Sequence, residues 1–269
     1  SKINRLCHLA RHSKVTVAVD NPKNIADLSA AAQATGVIIN ALVDLNTGLD
    51  RCGVEPGQPA IDLAKEITRA PGLHFAGLMT YEGTILREDY QDLVSESRKA
   101  VQLVLDTREA LEKEGLEAEA VSVGGTHNYE IVGAMEGITE VQVGSYPLMD
   151  YSYCQYRTNF RPAAKVLATV VSRPTEGSAV VDAGHKTIGP DKGLPVLDGV
   201  PGARLTRVSA EHGVIELEGE AQTHLDVGTK VWLVPWNLEL CVNQYNYFHA
   251  IRGGKLDAVW EIAARGRSD

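Results

Sequence analysis

The sequence predicts an α/β protein: the later part of a (β/α)8 barrel over residues 1–150, then a mainly antiparallel β domain over residues 151–269. Three observations carry this. Up to residue 143, β-branched runs alternate with segments of helical apolar spacing in five successive units, which is the pattern of a parallel sheet with crossover helices. Beyond residue 163 the runs shorten and Gly, Pro and Asp turns separate them, as in antiparallel sheets. The last two strands of the first half, 120–123 and 140–143, each run straight into glycine: Gly124-Gly125-Thr126 and Gly144-Ser145. A strand that ends in glycine leaves backbone N–H groups uncovered by any Cβ, so a phosphate can approach them. That reading requires that no side chain cap those groups.

The elements follow in order. Residues 1–14 (SKINRLCHLARHSK) read as the second half of a helix, which raises the expectation of further chain upstream. VTVAVD (15–20) reads as a buried strand, and 22–35 as a helix behind the Asp20-Asn21-Pro22 start signal. The next strand is 37–45, followed by a glycine-bearing loop and a helix over 59–70. The third strand is 73–81; residues 88–114, rich in Glu, Lys and Arg, form a long outer helix. A short helix near 128–135 separates the two glycine-ended strands. In the second half, strands are expected at 165–174, 178–184, 203–209, 213–219, 229–235, 238–243, 247–254 and 255–266. A five-stranded arc leaves two sheet edges open and half a core exposed. An N-terminal segment or a separate chain is therefore expected to complete the barrel.

Composition narrows the function. A net charge of −9, with no basic stripe, argues against nucleic-acid and anionic-membrane surfaces and for small-molecule chemistry. Cys7, Cys52, Cys154 and Cys241 are far apart and form no CxxC pair, which fits a reducing compartment. No apolar run approaches a membrane span and no signal peptide is evident. The expected location is cytoplasmic.

Seven strand-end motifs then occur in a telling order: RCGV (51–54), GLMTY (77–81), GGT (124–126), GSYPLMD (144–150), VVDAGHK (180–186), EHG (211–213) and VWLVP (231–235). In these the chain resembles the D-threonine aldolases and D-serine dehydratases, fold-type III pyridoxal-phosphate enzymes related to alanine racemase. The resemblance implies a barrel of alanine racemase type with pyridoxal 5'-phosphate at its strand C-terminal face. It also implies a homodimer in which each β domain lies near the partner's site. Position by position, it places the cofactor phosphate on Gly124, Gly125, Thr126, Gly144 and Ser145, and Tyr81 against the pyridine ring. Arg51 falls on the cofactor's phenolic oxygen, which an always-charged guanidinium would keep ionised. Gln142 falls opposite the pyridine nitrogen, where a neutral amide leaves the ring a moderate electron sink.

Three departures qualify the resemblance. The family anchors its cofactor on a lysine of the first barrel strand, and the strands here correspond to the last five of eight, so that lysine is expected outside this chain. Lys14 and Lys65 read as solvated, and Lys186 belongs to the β domain. The family's metal site has a histidine, then an acid or cysteine two residues on, after the VWLVP strand; here Asn237 and Glu239 stand there. That leaves a weakened site for Mg²⁺, Mn²⁺ or Zn²⁺. Cys241 and Asn243 read as strand residues. The loop after Tyr81 lacks the aldolases' histidine and offers Glu82, Arg87 and Glu88. Either carboxylate, Glu82 first, is a candidate proton acceptor if partly buried, and an ordinary solvated loop acid if not.

His185 compensates: it lies where alanine racemases carry a tyrosine that acts from the partner subunit, and histidine as a residue type needs little tuning to act as acid or base. His127, beside the glycine turn, is a candidate contact for phosphate or a substrate carboxylate, and His212 reads as structural. The expected function is a lyase on a small β-hydroxy-D-amino acid, by retro-aldol cleavage or dehydration. One alternative is an amino-acid racemase or epimerase with His185 as second base. Another is a non-catalytic homologue that keeps the phosphate cradle.

Overall fold

The computed structural model describes residues 2–157 and 159–267 and divides into two compact units, residues 1–144 and 145–269. The first unit contains α1 (Lys2–Leu9), β1 (Thr16–Val19), α2 (Pro22–Thr35), β2 (Ile39–Asp44), α3 (Gln58–Arg69), β3 (Leu73–Met79), α4 (Tyr90–Lys113), β4 (Ala120–Val123), α5 (Tyr129–Val132) and β5 (Glu140–Val141). Its strands form one parallel sheet in the order β1-β2-β3-β4-β5. A helix lies between each consecutive pair, so the alternation in the sequence does produce a barrel arc.

Local chemistry sets the boundaries. The Asn21 side chain accepts a hydrogen bond from the Lys23 N–H, Pro22 occupies the first turn of α2, and Gly36 closes that helix at φ 66°. Asp89 caps α4 by accepting from the N–H groups of Gln91 and Asp92. One side of the sheet, with Val19, Ala41, Val43, Phe75, Leu78, Val121 and Val123, packs with Ile25, Ile61, Ile67 and Val104 of the helices. Thr16, Ala18, Leu42, Ala76 and Ala120 instead line an open depression. Among the described residues β1 pairs only with β2, and Thr16 and Ala18 are exposed.

The last strand stops at Val141, short of the expected residue 143. The Gln142 N–H still reaches the Val123 carbonyl at 2.9 Å, but the Val143 N–H turns back onto Val141, which ends the ladder. In GLMTY, the glycine is required by close approach. The β2/β3 register shifts beside it, Gly77 has φ 139°, and a Cβ there would stand 1.9 Å from the Ala120 carbonyl oxygen.

The second unit contains α6 (Tyr151–Cys154), β6 (Val166–Thr175), β7 (Ser178–Val181), α7 (His185–Ile188), β8 (Val196–Leu197), β9 (Ala203–Val208), β10 (Gly213–Leu217), α8 (Ala221–His224), β11 (Lys230–Val234), α9 (Leu238–Asn243), β12 (Tyr247–Arg252) and β13 (Lys255–Glu261). Six strands make an antiparallel sheet in the order β8-β11-β6-β7-β10-β9, and β12 and β13 form a separate hairpin. Residues 238–243 are a helix, not the expected strand, so Cys241 and Asn243 are helical. LELCVN lacks alternation: the consecutive Glu239 and Leu240 are both exposed before the buried Cys241, and Asp150 receives the first N–H, that of Leu238. Among the described residues no helix is long and apolar enough to cross a membrane.

Gly77→Ala forces a left-handed φ and a backbone clash at once, so it should destabilise the first unit by about 3 kcal/mol or more. Urea unfolding of the variant against wild type measures this; an unchanged midpoint would contradict the close approach as the reason for glycine.

Candidate active site at the strand C-terminal ends

Tyr81 is the hub of the strand-end face. Thr80, immediately before it, continues the ladder by donating its N–H to Ser122. Its buried hydroxyl donates to the Leu45 carbonyl at 2.8 Å and pairs with the Thr47 hydroxyl at 2.8 Å. Residues 46–54 fold into a tight loop: Asn46 accepts from the N–H groups of Gly48 and Asp50, and Asp20 accepts from that of Gly53. The loop carries Arg51 to 5.4 Å from the Tyr81 ring centroid, a cation–π distance. His127 meets the same ring edge-on at 6.5 Å.

Glycine makes room for that ring. A Cβ on Gly83 would lie 2.3 Å from the Tyr81 ring, and one on Gly125 would lie 3.1 Å from it. At Gly144 a Cβ would meet nothing within 4 Å, so that edge is open. Three residues singled out in the sequence, Arg51, Tyr81 and Gly125, thus come together, with His127 fully buried beside them.

The backbone cradle at the GGT turn must be corrected. The Gly124 N–H donates to Glu82 Oε2 at 3.2 Å, and the Gly125 N–H donates to Asn128 Oδ1 at 3.0 Å. Asn128 Nδ2 in turn donates to Glu82 Oε1 at 3.0 Å and to Ser97 Oγ at 3.2 Å. Both glycine N–H groups are therefore capped by side chains and are not open to a bound anion. Glu82 itself is 1% exposed, so it is neither a solvated loop acid nor an open proton acceptor. Burial pushes its carboxyl above the usual 4.5, against the hydrogen bonds from Asn128, Gly124 and its own N–H. Asn128, Ser97 and this role of Glu82 carry no periodicity or motif in the sequence; only the fold brings them together.

Gln142 is also reassigned in part. Its Nε2 donates to the carbonyls of Thr80 at 2.9 Å and Ser122 at 3.1 Å, so it ties the ends of β3 and β4. Its amide hydrogens are committed to backbone, and only Oε1 remains for a ligand. An unforeseen carboxyl, Asp44, stands at the end of β2. Burial and the neighbouring Asp20 raise its proton affinity, while Arg51 lowers it.

The other predicted residues lie in the second unit. Ser145 opens that unit. His185 begins α7, exposed, with its backbone N–H on the Ser209 carbonyl at 2.9 Å. Asn237 is the N-cap of α9 and Glu239 sits in its first turn. Asp150 nearby is committed to the Ser152 hydroxyl at 2.8 Å and to the N–H groups of Tyr153 and Leu238. Among the described residues no three His, Cys, Asp or Glu side chains converge to hold a metal. A neutral amide, one helical glutamate and a committed aspartate do not fit a divalent ion. Lys14 is exposed before β1, Lys65 pairs with Glu114 at 3.2 Å, and Lys186 pairs with Glu211 at 2.5 Å.

Asp44, Glu82 and Asp150 all have raised folded-state proton affinities through burial. Their protons favour the folded state below the ordinary carboxyl range, and that stabilisation is lost as pH rises through the raised values. Asp44→Asn should therefore make stability fall less between about pH 4 and about pH 7. Urea midpoints of variant and wild type at the two ends of that range check it; parallel pH profiles would contradict it.

Comparison with known proteins agrees with this architecture. The family described as alanine racemase, N-terminal domain, matches residues 3–152, and the putative serine dehydratase domain matches residues 163–251. A 3-hydroxy-D-aspartate aldolase of Paracoccus denitrificans (strain Pd 1222) is 35% identical over 278 residues, covering 99% of this chain and 71% of that protein. A D-threonine aldolase of Arthrobacter sp is 33% identical over 276 residues, covering 100% and 72%. The crystal structure of D-threonine aldolase from Filomicrobium marinum matches with a TM-score of 0.96 at 37% identity, over 100% of this chain and 74% of that one. On a parallel arc, an antiparallel sheet and relatives that align along its whole length, the chain belongs to the alanine racemase-like family that includes the D-threonine and 3-hydroxy-D-aspartate aldolases.

Proposed function

We propose that the protein is a pyridoxal-phosphate-dependent lyase that cleaves the Cα–Cβ bond of a small β-hydroxy-D-amino acid, with dehydration of such a substrate as the close variant. The observation that carries this is the Arg51–Tyr81–His127 cluster at the strand C-terminal ends, in a chain related along its length to proteins named as aldolases.

The ring-binding side of the site fits the cofactor. A flat anionic heteroaromatic needs a ring wall, a cation and an open backbone edge, and Tyr81, Arg51 and Gly144 offer these. When bound, pyridoxal phosphate supplies the electron sink for the pair left on Cα. Tyr81 would wall the ring and Arg51 would hold the oxygen anion. Thr126, Gly144 and Ser145 are proposed for the phosphate, and the Oε1 of Gln142 for the ring nitrogen. A retro-aldol step also requires a base for the β-hydroxyl proton. Buried and doubly hydrogen-bonded, Glu82 is unsuited to it; His185, an exposed imidazole, is proposed instead. No step runs through a metal.

The open edge of β1 supports completion of the barrel by further parallel strands, which would also carry the anchoring lysine. A homodimer in the cytoplasm completes the proposal; four free cysteines are consistent with a reducing compartment.

Incubation with D-threonine and pyridoxal phosphate should yield glycine and acetaldehyde in equal amounts. Exchange of the Cα hydrogen in D₂O with loss of optical purity, and no aldehyde or keto acid, would instead establish a racemase. Arg51→Ala should weaken cofactor binding about tenfold or more, the scale of a lost hydrogen bond to a charged group, as followed by the cofactor's absorbance on titration.

A further inference from the structure

We propose that Glu82 and Asn128 are a positioning pair: they lock the Gly124–Gly125 turn in the shape that a phosphate-bearing ligand meets, and neither moves a proton in the reaction. The inference rests on the pyridoxal-phosphate reading above and goes beyond it by assigning the residues that shape the phosphate end.

The geometry is closed on itself. Glu82 lies on the loop after β3, Gly124 to Asn128 on the turn between β4 and α5, and Ser97 on α4. Glu82, Asn128 and Ser97 are at most 1% exposed, so each hydrogen bond among them replaces water completely. Two donors from the turn side, the Gly124 N–H and Asn128 Nδ2, point at the two oxygens of one carboxylate. Only a carboxylate supplies two acceptors there; a glutamine would turn an NH₂ group against one of the donors. Asn128 is equally constrained, because its Oδ1 takes the Gly125 N–H while its Nδ2 serves Glu82 and Ser97. The Glu82 oxygen on the Gly124 N–H also occupies the donor that an anion would need. A phosphate at this strand end is thereby kept off the Gly124 N–H.

The test uses the full chain, cleared of cofactor and titrated separately with pyridoxal 5'-phosphate and with pyridoxal, which lacks the phosphate. Wild type should prefer the phosphate ester; no preference would refute the proposed cofactor phosphate site itself. Glu82→Gln leaves one buried donor facing another, and should weaken pyridoxal 5'-phosphate roughly tenfold while changing pyridoxal less than about twofold. The double variant Glu82→Gln with Asn128→Asp exchanges amide and carboxylate, so every donor again finds an acceptor. The oxygen of the introduced amide takes the Gly124 N–H, and the introduced carboxylate takes both the NH₂ of that amide and the Gly125 N–H. The double variant should fold and restore the wild-type preference, which a role in bulk stability alone would not predict. Equal loss for both ligands in Glu82→Gln, no loss for either, or a double variant that fails to fold or to recover the preference would overturn the positioning role. Should Glu82→Gln itself not fold, the double variant decides the matter alone.

Discussion

A carboxylate removed from water is costly unless several donors surround it, and at the end of β4 the chain meets that cost with its own backbone. Glu82 receives the Gly124 N–H and the Asn128 amide, Asn128 receives the Gly125 N–H, and Ser97 closes the set from α4. The loop after β3, the turn after β4 and helix α4 are thereby held in one arrangement. Removing any one of these side chains would strand a buried polar group, which costs more than the bond itself contributes. The glycine turn that looks, in the sequence, like a cradle built for a ligand is first of all a floor built for the protein.

What stands on that floor is the Tyr81 ring. Gly125 of the same turn and Gly83 from its own loop leave just enough space for it, while the Thr80 hydroxyl pins the strand end to Leu45, just past the neighbouring β2. The ring then carries Arg51, delivered by a loop fastened through Asn46 and Asp20. A guanidinium over an aromatic face, flanked by Asp44, is a fixed positive charge held at an exposed position. Such a charge is suited to holding an oxygen anion, and it links the fold to the proposed chemistry.

The parts legible in the sequence were those that repeat or punctuate. The parallel unit reads directly from alternation: 120–123 and 22–35 lie where expected, because β-branched runs and an Asn-Pro start are strong local signals. The helix at 238–243 was not legible, since six residues without clear period are decided by what receives their N–H groups, here Asp150. Glu82 was illegible for the same kind of reason. A glutamate in a polar loop looks solvated until the chain folds α4 and the β4–α5 turn around it. The glycines of GGT stand out in the sequence, but they serve the approach of one protein segment to another, which a linear reading does not distinguish from approach of a ligand.

If the Gly124 and Gly125 amides are held by side chains before any ligand arrives, hydrogen exchange resolved to single amides in the cofactor-free protein tests it most directly. Both amides should then exchange slowly, alongside those of β4, and adding the cofactor should change them little. Fast exchange in the cofactor-free protein, slowed only on cofactor binding, would show that the two N–H groups await the ligand and would contradict the capped turn.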